Sequence, residues 1–148
     1  MKILFNNLKS INESINFELR NAFSRVLESG SYINGEELNL FELEFGKYVN
    51  TKYCIGVGNG LDALSLILKA LGIGFGDEVI VPANTFIATW LSVSNLGAKP
   101  IPVDPDINTY NIDPNLIEDK ISKNTKAIVV VHLYGQPAEM EPIMLIAK

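Results

Sequence analysis

The chain has 148 residues, 47% hydrophobic and 20% charged, with a net charge of −5. That is one domain's worth or part of a larger domain, with ample apolar content for a buried core and too much for a disordered chain. The acidic balance without any block of like charges argues against nucleic acid as a partner. One cysteine (Cys54) excludes an internal disulfide framework, and one histidine (His132) excludes a multi-histidine metal site.

The first residues, MKILFNNLKS, are too short and too polar for a signal peptide. No run reaches the ~18 apolar residues of a membrane span, so the cytoplasm is the expected compartment. Residues 12–28 carry Ile15, Leu19, Ala22, Phe23, Val26 and Leu27 at helical spacing, with Gly30 as the stop. A second helix follows Asn34-Gly35, where Asn34 and Glu37 have the spacing of a capping pair. From Tyr53 the pattern becomes alternating strand and helix. Tyr53–Val57 reads as a buried strand with Cys54 as a buried small hydrophobe, and Leu61–Leu71 as a helix apolar on nearly every side and so buried on most faces. Glu78–Val81 is a second strand ended by Pro82. Asn84 caps a helix to about Leu96, closed by Gly97. Lys99–Val103 is a third strand, DPDINTYNIDP a turn-rich loop, and Asp113-Pro114 the start of a short helix. Lys126–Val131 is a β-branched strand, and Met140–Ala147 a helix. The organisation is residues 1–50 as N-terminal helices and 51–148 as an α/β core, a mostly parallel sheet covered on both faces in three layers.

Three stretches fall at the C-terminal ends of strands, where α/β proteins bind ligands. In GVGNGLDAL, Gly58, Asn59 and Gly60 precede a helix whose unsatisfied amides and dipole suit a phosphate. The same glycines also suit a plain strand-to-helix turn. It is neither G-x-G-x-x-G nor a P-loop, and the next strand does not end in an acidic residue, which argues against a dinucleotide. In PANTFIATW, Phe86 falls in the first helical turn, as a plate for a flat ligand or as core. In VVVHLYGQP, the polar side chains of His132, Tyr134 and Gln136 either line a pocket or satisfy structural needs. Together, a phosphate grip, an aromatic plate and a polar cluster at one sheet edge suit a planar phosphorylated cofactor.

The words SGSYINGEELNLFELEFGKY, GVGNGLDALSLILKALGIGFGDEVIVPANTFIATW, GAKPIPVDPDINTYNIDP and VHLYGQPAEM, in this order and spacing, resemble the DegT/DnrJ/EryC1/StrS aminotransferases. NTFIATW, NTYNIDP and HLYGQPAEM look most like the members that aminate C3 of dTDP-keto-6-deoxyhexoses. The resemblance implies a fold type I, aspartate-aminotransferase-like enzyme, of which this chain is the N-terminal part of the large domain. It implies pyridoxal 5′-phosphate as cofactor, passing through pyridoxamine phosphate, a nucleotide-linked keto sugar as substrate and glutamate as amino donor. It also implies a homodimer, and a place in deoxysugar and O-antigen synthesis.

By position, the backbone amides of Gly60, Leu61 and Asp62 inherit the phosphate grip, with the Asp62 carboxylate turned away. Phe86 inherits the stacking position. Asn84 and Thr85 lie close to cofactor or substrate, Tyr32 lines the sugar site, and His132, Tyr134 and Gln136 join it. Many relatives carry Thr where this chain has Leu61, a difference of one hydrogen bond worth roughly 0.5–1.5 kcal/mol. The family's Schiff-base lysine and the Asp that pairs with the pyridine nitrogen fall in segments this chain does not contain. The expectation is therefore an N-terminal fragment, about two-fifths of a family member, inactive alone. Two alternatives follow: a cofactor-dependent sugar dehydratase of the same family, and a non-catalytic phosphate-binding or dimerising fragment.

Overall fold

The computed structural model describes residues 6–148. Residues 1–5, the first half of the segment read above as no signal peptide, lie outside them. The chain divides into two compact units, Met1–Gly56 and Val57–Lys148.

In the first unit the helical stretch expected from residue 12 is two helices, α1 (Leu8–Glu13) and α2 (Asn16–Ser29). Asn7 accepts from the Ser10 amide at the start of α1. Gly30 ends α2 at φ 65°, a left-handed position that glycine takes without a Cβ penalty. The third helix, α3 (Glu36–Tyr48), begins where expected, but Gly35 is its N-cap and no side chain caps it. Asn34 sits instead at φ 51°, and Glu37 is drawn away by Arg25, whose Nε lies 2.6 Å from Oε1. An ion pair with a cation outcompetes the reach back to a backbone amide, and it holds the Glu37 carboxyl below its ordinary range.

The segment Tyr53–Val57 is not a strand, and Tyr53 and Ile55 are exposed. A strand exists only through a ladder, and the described sheet has three strands, none pairing with this segment. Cys54 within it is half-buried and not the buried small hydrophobe expected. The Glu42 carboxylate instead accepts from the Gly56 amide at 2.6 Å, satisfying that donor through a side chain of α3.

The second unit is a parallel sheet of β1 (Glu78–Pro82), β2 (Lys99–Val103) and β3 (Thr125–Ile128) in the order β2-β1-β3. The four helical pieces that matter are α4 (Gly60–Ala70), α5 (Ala88–Ser94), a 3₁₀ turn at Pro114–Leu116 and α6 (Met140–Ile146). β1 is central, and its alternate residues feed two cores. Val79 and Val81 pack with Leu68 of α4 and Val93 of α5, while Ile80 packs with Ile117 and with Ile143 of α6. Helical layers on both faces of a parallel sheet are the three-layer arrangement expected. The expected burial of α4 on most faces does not hold. Leu68 alone is buried, and Leu66, Ile67 and Leu71 are exposed. A strongly apolar helix finds one partner layer here, so one stripe is covered.

The N-terminal edge of the sheet is laced by Glu78. It accepts from Ser122 Oγ at 2.5 Å and faces Lys99 Nζ at 3.5 Å, with its side chain 16% exposed. The Ser122 bond first, then Lys99, lowers its pKa against the opposing effect of burial. A lowered carboxyl stabilises the fold above its unfolded pKa, near 4.5, and that contribution disappears as pH falls through the lower folded value. Unfolding midpoints followed from pH 7 downward are therefore expected to fall below about pH 4.5, and Glu78→Gln should flatten that part of the curve. An unchanged acid limb in the variant would contradict this role.

Candidate functional site

The C-terminal ends of β1 and β3 and the start of α4 carry most of the residues singled out in the sequence. At α4 the first turn follows Asn59, which is extended (φ −165°, ψ 172°) and caps the helix by accepting from the Asp62 amide at 2.9 Å. Asn59 Nδ2 also donates to Asp62 Oδ2 at 2.9 Å. Two expectations change here. The Asp62 amide is already engaged, and its carboxylate folds back over the loop, where a Cβ on Gly58 would lie 3.3 Å from Oδ2. The reason is local: an Asn at N-cap and an Asp at N3 bond each other, as in a capping box. Among the described residues, the amides of Gly60 and Leu61 have no hydrogen-bond partner.

The chain leaves β1 through Pro82 and Ala83, whose amide donates to Val103 at 2.9 Å. Asn84 does not cap a helix. Its Nδ2 donates 3.0 Å to the carbonyl of Tyr110, and α5 begins later, with Ile87 as N-cap. Phe86 thus precedes the helix, and its ring is 80% exposed, not core. Thr85 is half-buried, and its hydroxyl lies 3.5 Å from the Pro82 carbonyl, which also accepts from Trp90 Nε1 at 3.1 Å.

After β3 the chain runs on to His132, with the Val129 amide still donating to Ile80 at 2.8 Å. The turn Leu133–Gly135 places Tyr134 at φ 56° and Gly135 at φ 83°. Tyr134 is 92% exposed and Gln136 is exposed. His132 Nδ1 accepts from the Ala138 amide at 3.0 Å, which assigns the ring proton of the neutral imidazole to Nε2. Buried Asn111 binds this turn at both ends, and Tyr110 beside it takes the bond from Asn84. The structure thus joins Asn84 and the 132–136 turn through Tyr110-Asn111, a pair the sequence reading passed over. The signal was present in the DPDINTYN run, where Asp106 accepts from the amides of Asn108 and Thr109 at 2.9 Å each. Those two bonds lower the Asp106 pKa, that to Thr109 first. Tyr32 lies in the first unit, exposed, and lines a cavity of about 430 Å³ with Arg25, Ser31 and Glu37.

An oxyanion fits the start of α4 on its donor set. Two free amides at the positive end of an eleven-residue helix suit it, and nothing lies within 4 Å of where a Gly60 Cβ would stand. Among the described residues no cluster of His, Cys, Asp or Glu could hold a metal ion, and no helix is long and apolar enough to cross a membrane.

Comparison with known proteins places the chain in one family. The profile of the DegT/DnrJ/EryC1/StrS aminotransferase family matches residues 13–148. The dTDP-3-amino-3,6-dideoxy-alpha-D-galactopyranose transaminase of Aneurinibacillus thermoaerophilus is 60% identical over 146 residues, 99% of this chain and 40% of that protein. The crystal structure of DesV from S. venezuelae superposes with a TM-score of 0.96 at 47% identity, over 99% of this chain and 39% of DesV. NtdA from Bacillus subtilis, solved with bound cofactor PMP, gives 0.92 at 38% identity, over 99% of this chain and 34% of its own. The chain therefore spans about two-fifths of the length of the curated relatives it matches.

Proposed function

This chain belongs to the DegT/DnrJ/EryC1/StrS aminotransferase family, and from that premise we propose that the protein to which these residues contribute is a pyridoxal-phosphate-dependent aminotransferase of nucleotide-linked keto sugars. A dTDP-keto-deoxyhexose is the substrate class, by the likeness to the Aneurinibacillus transaminase. Glutamate is the proposed amino donor, and a cytoplasmic homodimer serving deoxysugar or O-antigen synthesis the proposed setting. Bound pyridoxal phosphate supplies an electron sink for moving an amino group.

The chain's own contribution is binding and orientation. The amides of Gly60 and Leu61 hold the phosphate, and Asn59 keeps the loop in shape by occupying the Asp62 amide. The exposed face of Phe86 supports the ring. Asn84 spends its Nδ2 on Tyr110 and keeps Oδ1 for a ligand donor, with Thr85 beside it. His132, Tyr134 and Gln136 are assigned to the substrate.

The observation that carries this reading is the pair of unpartnered amides opening α4. Titrating pyridoxal phosphate into the chain tests it, with pyridoxal lacking the phosphate as comparison. Saturable binding at least ~10-fold tighter for the phosphorylated compound is expected, since charge-assisted bonds to an anion are the strong ones. Equal affinity for the two compounds would overturn it.

A further inference from the structure

Asn111 is 3% exposed, yet every polar atom it owns is engaged. Its amide donates to Thr109 Oγ1 at 3.3 Å, and its carbonyl accepts from the Asp106 amide at 2.9 Å. The side-chain Oδ1 accepts from the Leu133 amide at 2.9 Å, while Nδ2 donates to the Gln136 carbonyl at 3.1 Å. One carboxamide thus closes both ends of the four-residue turn that carries Tyr134.

That turn needs closing. A tyrosine at φ 56° sits where a Cβ crowds the following carbonyl, and it stays there only if its surroundings dictate it. Gly135 follows at φ 83°, where glycine alone is unstrained. The chemistry of the clamp is specific: one acceptor and one donor, uncharged, at fixed separation. An aspartate keeps the acceptor but sets an anion against the Gln136 carbonyl. A leucine fills the volume and leaves both backbone groups unpaired. At one flank of the same turn, His132 accepts from the Ala138 amide through Nδ1, so its free ring nitrogen is the Nε2–H donor.

We propose that Asn111 is a positioning residue which, by clamping Leu133 and Gln136, presents two neutral donors, His132 Nε2–H and the Tyr134 hydroxyl, to acceptor oxygens of the bound ligand. This rests on the ligand-binding reading above, and it adds the residue that sets the geometry. Asn111 touches no ligand in this scheme. It acts through the turn.

His132 is the only histidine, so its ring nitrogens can be read without ambiguity in a ¹⁵N-labelled chain. The neutral ring of the unsubstituted chain is expected to take the Nε2–H tautomer. Asn111→Asp, which is isosteric, should mix the tautomers and speed amide exchange at Leu133 and Tyr134 by about 10-fold or more. The Val129 amide, bonded to Ile80 in the sheet, should stay protected in both and so reports an intact fold. Should Asn111→Leu fail to fold, Asn111→Asp still decides. Adding pyridoxal phosphate should move the Nε2 resonance in the unsubstituted chain and less in the variant. An unchanged tautomer and unchanged exchange in Asn111→Asp would overturn the clamp. Pyridoxal phosphate that binds by absorbance without moving the His132 resonance would overturn its presentation to ligand. Absence of any binding would instead fail the functional reading, while the ligand-free tautomer and exchange data still judge the clamp.

Discussion

Replacing Gly60 with proline is expected to weaken pyridoxal phosphate binding by about 10- to 150-fold while leaving the melting temperature nearly unchanged. Gly60 is the first residue of α4, the position proline tolerates best in a helix. Asn59 before it is already extended, which is the backbone a following proline requires. Nothing occupies the space a Gly60 side chain would enter. The substitution therefore removes one N–H and little else. A charge-assisted bond from that amide is worth roughly 1.5–3 kcal/mol, which sets the range. Gly60→Ala separates donor loss from bulk: it adds the Cβ, keeps the N–H and should retain most of the affinity. Calorimetric titration of the three proteins checks this, and equal affinity for Gly60→Pro and the parent would remove α4 from the phosphate site.

Part of the fold was readable in the sequence because local rules decided it. Gly30 stops α2, Asp113 caps the turn at Pro114 by accepting from the Asn115 amide, and Glu78–Pro82 is a strand because its apolar run is bounded by turn residues. The rest depended on partners far along the chain. Asn84 has the sequence position of a helix cap, but its donor is taken by a carbonyl 26 residues away, and the helix starts later in consequence. Asn59 was legible as part of a phosphate loop, and less so as the group that engages the Asp62 amide. Tyr53–Val57 has strand composition, yet composition cannot supply the neighbouring ladder. The apolar circumference of α4 announced burial that only an opposing surface could realise, and Leu66, Ile67 and Leu71 remain exposed. Phe86 went the other way. A lone aromatic is more often core, and the structure leaves it in the open at the strand's end, where a ring-shaped ligand can use its face.

Truncating Ile80 to alanine has the largest effect expected on stability, and it also offers a second route to the ligand question. Ile80 is fully buried in the central strand, against Val103, Ile112, Ile117, Ala138 and Ile143. Loss of that side chain leaves a cavity in a layer held from both sides, at about 2–5 kcal/mol. For a unit of this size that lowers the melting temperature by about 10–30 °C, which circular dichroism or calorimetry would register. A ligand that binds only the folded state restores stability by mass action, by about 2.7 kcal/mol at one hundred times its dissociation constant. Pyridoxal phosphate at that level should therefore recover much of what Ile80→Ala loses. Adding Gly60→Pro should cut the recovery to about 0.3–1.4 kcal/mol at the same ligand concentration, since affinity falls and the core defect is unchanged. The two sites lie on different features of the unit, a strand interior and a helix start, so their direct effects on stability should add. Equal recovery with and without Gly60→Pro would mean that the ligand stabilises the chain from somewhere other than α4.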